Sequence, residues 1–226
     1  MRGKSMKVSL LALGMTVLLA TAASASGPWS LFGDARPVKE GLQPNPWAAE
    51  LCSTCPPESQ DCLGDNALTV AGVTFKAPNR KLTFADIYML SASYEIKEGD
   101  CGGGSPRFSI GIDTDGDGSA DGDVFVYIGP APEFTACPAD TWDITGNLIK
   151  DTDARFEISQ FIQENALTYL TYQEASSFLG DIAHQPVVYI LLVADGGWEE
   201  DQVILVDNVR VNNFKLNAKG FVKKKK

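Results

Sequence analysis

The chain has 226 residues, of which 44% are hydrophobic and 21% charged, and its 19 basic and 29 acidic side chains give a formal net charge of −10. Three of the basic residues and none of the acidic ones precede residue 26, which leaves the remainder at −13, or −17 without the four lysines at 223–226. A surface this acidic repels phosphate backbones, so the composition disfavours a nucleic-acid partner and favours cations.

The chain begins with the three parts of a secretory signal peptide. Arg2, Lys4 and Lys7 precede an apolar run over residues 8–20, and small residues follow as far as Ala25. The run is shorter than the roughly 20 apolar residues of a membrane-spanning helix. We therefore expect residues 1–25 to be removed and the rest to be secreted, either extracellular or at the cell surface, with no later membrane span.

Five cysteines follow the predicted signal peptide. Disulfides form and persist in an oxidising compartment, and the odd number leaves at least one thiol unpaired or paired between chains. We favour a disulfide between Cys101 and Cys137. A second disulfide would join Cys62 to either Cys52 or Cys55.

Most of the remaining chain is predicted to form short β-strands. Apolar runs that are β-branched or have a period of two alternate with Gly, Pro, Asp and Asn at short intervals. The predicted strands cover residues 29–33, 67–77, 91–97, 107–113, 123–129, two short runs within 146–158, 186–195 and 202–216. The pattern predicts an all-β fold, an antiparallel β-sandwich of jelly-roll type. We expect this sandwich to be a single domain over residues 26–217, followed by a basic tail at 218–226.

One short helix is predicted within residues 171–181. Thr171 and Glu174 have the spacing of a capping box, and Gly180 is a helix stop signal. The segment 81–90 fits both a strand and a helix. The last predicted strand alternates apolar and polar residues after Val203, so we expect one of its faces to be buried and the other to be exposed to solvent.

An acidic loop is the most informative motif. The sequence IDTDGDGSADGD, residues 112–123, places five aspartates and three glycines between two predicted strands. In calcium loops of the form D-x-[DN]-x-[DN]-G, alternate carboxylates around a tight turn converge on one ion. The candidate ligands are Asp113, Asp115, Asp117, Ser119 through its backbone carbonyl, and Asp121. The pattern predicts a calcium ion as cofactor.

The acidic loop departs from an EF-hand, because Val124 stands where that motif needs a glutamate and the flanking segments are strands. It resembles the DxDGDGxxD calcium loops of secreted modules such as dockerins and thrombospondin type 3 repeats. That resemblance implies a structural calcium ion, whose missing ligand would come from Asp123 or elsewhere. The alternative is an acidic turn without a metal, since Asp and Gly are favoured in turns in any case.

No constellation of catalytic residues stands out. His184 is the only histidine, and no G-x-S-x-G elbow accompanies it. Acidic residues are plentiful, but nothing singles out two of them for glycoside cleavage. We therefore expect a binding protein and not an enzyme.

Several aromatic side chains can offer flat faces to sugar rings. They are Trp29, Trp47, Trp142, Trp198, Tyr127 and Tyr172. Most tryptophans of a sandwich serve its core, and we expect this of Trp29 and Trp142. Trp198 lies in the sequence DGGWEED, a predicted hairpin loop, and is the candidate ligand-binding residue.

The stretches WSLFGDA, GDCGGGSPRFSI, the acidic loop, GNLI and VDNVRV together resemble a recurring type of secreted microbial domain. The closing VDNVRV is similar to the last strand of jelly-roll carbohydrate-binding and galactose-binding-like modules. The resemblance implies a jelly-roll with a structural calcium ion, and it implies no reaction.

Together these features predict an exported, non-catalytic, calcium-stabilised β-sandwich. Its expected ligand is extracellular, with polysaccharide as the first candidate and other cell-surface components as further ones. The alternative is a structural or assembly subunit of a cell-surface layer or extracellular filament. In that case an unpaired cysteine and the lysine tail at 223–226 would join neighbouring subunits.

Overall fold

The structure is a computed structural model that describes residues 27–53, 70–78, 81–102, 104–162, 169–196 and 201–222. The predicted signal peptide and the four terminal lysines lie outside the described residues, as do Cys55, Cys62 and Trp198.

The described residues form two sheets that enclose a common core. In spatial order, the first sheet contains β1 (Trp29–Phe32), β4 (Val70–Phe75), β10 (Val187–Asp195), β6 (Arg107–Ile112), β7 (Gly122–Tyr127) and β9 (Phe156–Glu157). The second contains β2 (Ala35–Val38), β3 (Ala48–Cys52), β11 (Val203–Val211), β5 (Leu90–Glu98) and β8 (Asp143–Ile144), with β12 (Phe214–Lys215) paired to β11. These strands pair in antiparallel fashion. The predicted antiparallel β-sandwich is therefore confirmed.

The core lies between the sheets, where alternate residues of the strands point inward. Phe108 and Ile110 enter it from β6, and Tyr94 and Ile96 enter it from β5. Trp29 is 2% exposed, which confirms its predicted core position. Each large apolar side chain buried in this way contributes roughly 1.5–3 kcal/mol to the free energy of unfolding.

The predicted helix is α1, Tyr172–Leu179. Its capping box is present: Glu174 N donates to Thr171 Oγ1 at 3.3 Å, and Thr171 N donates to the Glu174 carboxylate at 2.8 Å. Hydrogen bonds from the Thr171 hydroxyl and amide lower the pKa of the Glu174 carboxyl. Gly180, at φ +54°, ends the helix. Within the described part of the chain, no helix is both long enough and apolar enough to cross a membrane.

Some local predictions differ from the structure. β2 and β3 were not predicted, because β2 contains Pro37 and β3 is rich in alanine, both unfavourable in strands. β2 lies at a sheet edge, where a missing amide donor is tolerated. The run GNLI, at 146–149, forms no strand, and the ambiguous segment 81–90 contains a 3-10 helix, Phe84–Asp86.

The last long strand, β11, is buried on both faces over residues 204–207, contrary to the expectation of one solvent-exposed face, and of its nine residues only Arg210 is exposed. Leu205 and Asp207 are each 1% exposed, because β11 lies between β3 and β5 and the segment before β3 covers it. Asn45 Nδ2 donates to Asp207 Oδ1 at 2.8 Å across this contact. Alternation in the sequence therefore does not produce a solvated face here.

The sandwich extends beyond residue 217. Residues Ala218–Phe221 form a 3-10 helix in which Ala218 is 2% exposed and Phe221 packs against the core. The start of the predicted tail therefore belongs to the folded domain.

The disulfide between Cys101 and Cys137 is present, as predicted, and both residues are buried. Cys52 is a free, buried thiol. The predicted second disulfide involves Cys62, which lies outside the described residues.

Cys52 is expected to resist alkylation in the native protein. Burial, together with the neighbouring Glu50 carboxylate, raises the pKa of its thiol to about 11. The thiolate is the nucleophile, and about one Cys52 thiol in a thousand is ionised at pH 8, so alkylation should be slow. Iodoacetamide treatment at pH 8 followed by mass spectrometry measures this, and the same treatment in guanidinium chloride should modify Cys52 fully. Rapid native labelling would contradict the burial.

Candidate functional site

The acidic loop joins β6 to β7 at the end of the first sheet. Asp121 N donates to Ile112 O and Asp113 N donates to Pro186 O, both at 2.9 Å, which fixes the two ends of the loop. Gly116 and Gly118 have φ values of +84° and +91°, which residues with side chains rarely adopt. The glycines of the motif therefore set the shape of the loop.

Asp113 is the buried centre of the loop, with 4% exposure. Its Oδ1 accepts a hydrogen bond from Gly116 N at 2.7 Å, and its Oδ2 accepts one from Gly118 N at 2.9 Å. Two backbone amides directed at one carboxylate form charge-assisted hydrogen bonds, which are stronger than neutral ones. Asp113 is therefore oriented by the loop itself.

Asp113, Asp115 and Asp117 together form a carboxylate cluster, in which one oxygen of each lies within 4.8 Å of the others. Asp115 Oδ1 accepts from Asp117 N at 3.0 Å, and Asp117 Oδ1 accepts from Ser119 N at 2.7 Å. Carboxylates this close repel one another unless a cation lies between them. The cluster can therefore hold a metal ion that prefers oxygen ligands.

Asp121 and Asp123 lie outside this carboxylate cluster. Asp121 Oδ2 accepts from the amide and the hydroxyl of Thr114, at 2.7 Å each, and these bonds lower the pKa of Asp121. Asp123 is in β7, where its Oδ2 accepts from the Tyr189 hydroxyl at 3.4 Å. Asp121 thus closes the loop, while Asp123 belongs to the face of the sheet.

The outer face of the first sheet continues from the acidic loop. On this face, the residues that alternate with the core positions of β10, β6 and β7 lie side by side across the three strands. They form three rows of three residues, one from each strand in that order, and we call these nine residues the outer-face patch. The rows are Tyr189–Gly111–Asp123, Leu191–Ser109–Phe125 and Val193–Arg107–Tyr127.

Aromatic rings and charged groups lie close together on the outer-face patch. The Tyr189 ring lies across Gly111, so closely that a Cβ on Gly111 would be 2.5 Å from the ring. The Arg107 guanidinium lies over the Phe125 ring at 4.8 Å. Burial raises the pKa of Asp123, whose Oδ1 has no hydrogen-bond partner among the described residues. Arg107, Ser109 and Val193 are 8%, 4% and 3% exposed. The members of the patch that a ligand can reach are therefore the partly exposed ones: Asp123, Phe125, Tyr189 and Leu191.

The aromatic residues considered from the sequence have different positions. Trp198 lies outside the described residues, and Trp142 is only partly buried, contrary to the expected core position. Tyr127 is 6% exposed. Phe125 and Tyr189 were not considered from the sequence, because each lies in a continuous apolar run that does not show which face of its strand a residue occupies.

Comparisons with known proteins add one likeness. The sequence matches no protein-family model and no curated protein. Among solved structures, the chain is similar to one described as "Structural analysis of an exo-beta-agarase", with a TM-score of 0.34 and 12% sequence identity. The match covers 86% of this chain and 25% of that chain, so this chain spans about a quarter of that protein's length.

Proposed function

We propose that the protein is an exported, non-catalytic β-sandwich that binds a calcium ion and an extracellular ligand of the polysaccharide class. The observation that carries the calcium proposal is the carboxylate cluster, in which Asp115 and Asp117 approach a buried Asp113 that is already oriented by two amides.

The chemistry of the ligands favours calcium over other cations. Ca²⁺ takes 6–8 oxygen ligands at about 2.3–2.6 Å in flexible geometry, whereas Mg²⁺ requires a near-ideal octahedron. An irregular loop that brings three carboxylates together suits the flexible case. Extracellular calcium loops have dissociation constants of about 10⁻⁴–10⁻³ M, and an ion that binds only the folded form stabilises it.

Calcium is expected to bind the wild-type protein and not the double variant Asp115→Ala/Asp117→Ala. Calorimetric titration of the chelator-stripped protein should give a dissociation constant of about 10⁻⁴–10⁻³ M. At a calcium concentration about ten times the dissociation constant, the free energy of unfolding should rise by about 1.4 kcal/mol and the Tm by about 3–6 °C. Differential scanning calorimetry measures this shift.

The matched control is Glu133→Ala/Asp181→Ala, which removes two exposed carboxylates far from the acidic loop in sequence. This variant should bind calcium as the wild type does. Equal heats from both double variants would contradict a site in the loop. Heats with magnesium but not with calcium would contradict the identity of the ion.

Two features support the polysaccharide part of the proposal. The outer-face patch combines the partly exposed rings of Tyr189 and Phe125 with the Asp123 carboxylate. The Cys101–Cys137 disulfide fits an oxidising compartment outside the cytoplasm. The assembly alternative gains little from Cys52, because that free thiol is buried and is not available to join chains.

A further inference from the structure

We propose that Tyr169 is the platform on which a neutral pyranose unit of the polysaccharide stacks. This inference rests on the proposed function, and it adds a contact residue and a class of sugar.

Tyr169 belongs to a cluster of three aromatic rings at the end of β7 opposite the acidic loop. The Phe134 and Tyr169 rings are stacked at 18°, with centroids 5.7 Å apart, and the Tyr127 centroid lies 5.6 Å and 5.8 Å from theirs. Phe134 is 2% and Tyr127 6% exposed, whereas Tyr169 is 49% exposed. Two buried rings therefore support one ring at the surface.

The supporting rings are fixed by the residues around them. The Arg155 guanidinium lies over the Phe134 ring at 4.9 Å, and its Nη1 donates to Tyr127 O at 2.7 Å. Leu170, which follows Tyr169, exchanges two backbone hydrogen bonds of 2.8 Å with Phe156 of β9. A ring held in this way loses little conformational entropy when a ligand binds to it.

The backbone of Tyr169 points to a role other than stability. Its φ is +66°, in the left-handed region, and that of Phe134 is +58°. Bulky side chains are outliers there, while glycine and asparagine are favoured. Because such strain is concentrated at ligand sites, a half-exposed tyrosine in this conformation indicates that its ring is used for binding.

The polar groups beside the rings fit a neutral sugar. The Glu157 carboxylate accepts hydrogen bonds from the Tyr127 hydroxyl and, at 2.6 Å, from Ser159 Oγ. Its remaining lone pairs can accept hydrogen bonds from sugar hydroxyls while the C–H face of the pyranose covers the Tyr169 ring. The net charge of −17 over the body of the chain repels uronate and sulfate chains, which favours neutral polysaccharides over polyanionic ones.

The test measures depletion of the full-length protein, in calcium, by insoluble cellulose, xylan and galactan, with alginate as the polyanionic comparison. We expect binding to at least one neutral polysaccharide and weaker binding to alginate. Tyr169→Ala should lower the affinity about tenfold or more, and Tyr169→Phe should retain it. Tyr88→Ala is the matched control, because Tyr88 is 52% exposed and its replacement should leave the affinity for the polysaccharide unchanged.

Tyr169→Gly separates binding from folding. It should lose affinity as the alanine variant does, while its Tm stays within about 2–4 °C of the wild type because the left-handed strain is removed. A larger fall in Tm would assign Tyr169 a structural role and overturn the inference.

The remaining outcomes distinguish the two proposals. Wild-type protein that binds none of the four polysaccharides, alginate included, would overturn the polysaccharide part of the proposed function and this inference with it. Wild-type binding that Tyr169→Ala retains would overturn the platform alone. Tighter binding to alginate than to the neutral chains would overturn the class of sugar.

Discussion

Replacing Cys101 and Cys137 together by alanine is expected to lower the free energy of unfolding by about 3–4 kcal/mol, because the disulfide restricts the unfolded chain across a separation of 36 residues. Both cysteines also lie in the core, where the Cys137 Sγ is 3.6 Å from the Tyr94 hydroxyl. Equilibrium unfolding in guanidinium chloride, followed by tryptophan fluorescence, measures the loss.

Cys52→Ala is the matched control for that double variant. Cys52 is a buried cysteine without a disulfide, so its replacement removes similar side-chain volume but no cross-link. We expect a loss of about 1 kcal/mol from it. If the double variant were no less stable than Cys52→Ala, the disulfide would make no net contribution to stability.

Asp113→Ala is expected to lower the free energy of unfolding by about 2–3 kcal/mol even in the presence of a chelator. The reason is that the amides of Gly116 and Gly118 lose a charged acceptor inside the loop, and hydrogen bonds to charged groups are the stronger class. In calcium the deficit should grow, because the variant also loses the stabilisation that the ion gives to the wild type. Chemical unfolding with and without calcium measures both parts.

Asp117→Ala separates the loss of calcium binding from the loss of hydrogen bonds inside the loop. Asp117 is exposed and accepts one local hydrogen bond, from Ser119 N. It should cost about 0.5–1 kcal/mol in chelator and show most of its deficit only in calcium. Equal deficits for Asp113→Ala and Asp117→Ala in chelator would contradict the special role of the buried carboxylate.

The sheets and the acidic loop could be predicted because their signals are local. A period of two marks β6, apolar β-branched runs mark β7 and β10, and three aspartates at alternate positions mark the carboxylate cluster. β2 was missed because proline and alanine weaken the local signal, although pairing with β3 overrides it. The local sequence pattern therefore predicted the elements whose own residues favour that structure, and it missed a strand that forms because of its pairing with a neighbour.

The rest depends on contacts between residues far apart in the sequence. The packing of β7, β9 and the segments beside them brings together the rings of Tyr127, Phe134 and Tyr169. No spacing in the sequence predicts that the backbone of Tyr169 has a left-handed conformation. Similarly, the alternation in β11 predicted a wet face that the segment around Asn45 covers. Tertiary packing decided both cases.

The position of the disulfide has a consequence for what a protease can do to the fold. Cys101 and Cys137 close a covalent ring that contains β6, the whole acidic loop and β7. An exposed loop is where a protease cuts most readily. A cut between Asp115 and Ser119 would fall inside this ring, so both pieces would stay attached and the β6–β7 pairing would be retained. The most acidic segment of the chain can therefore be cleaved without dissociation of the fragments.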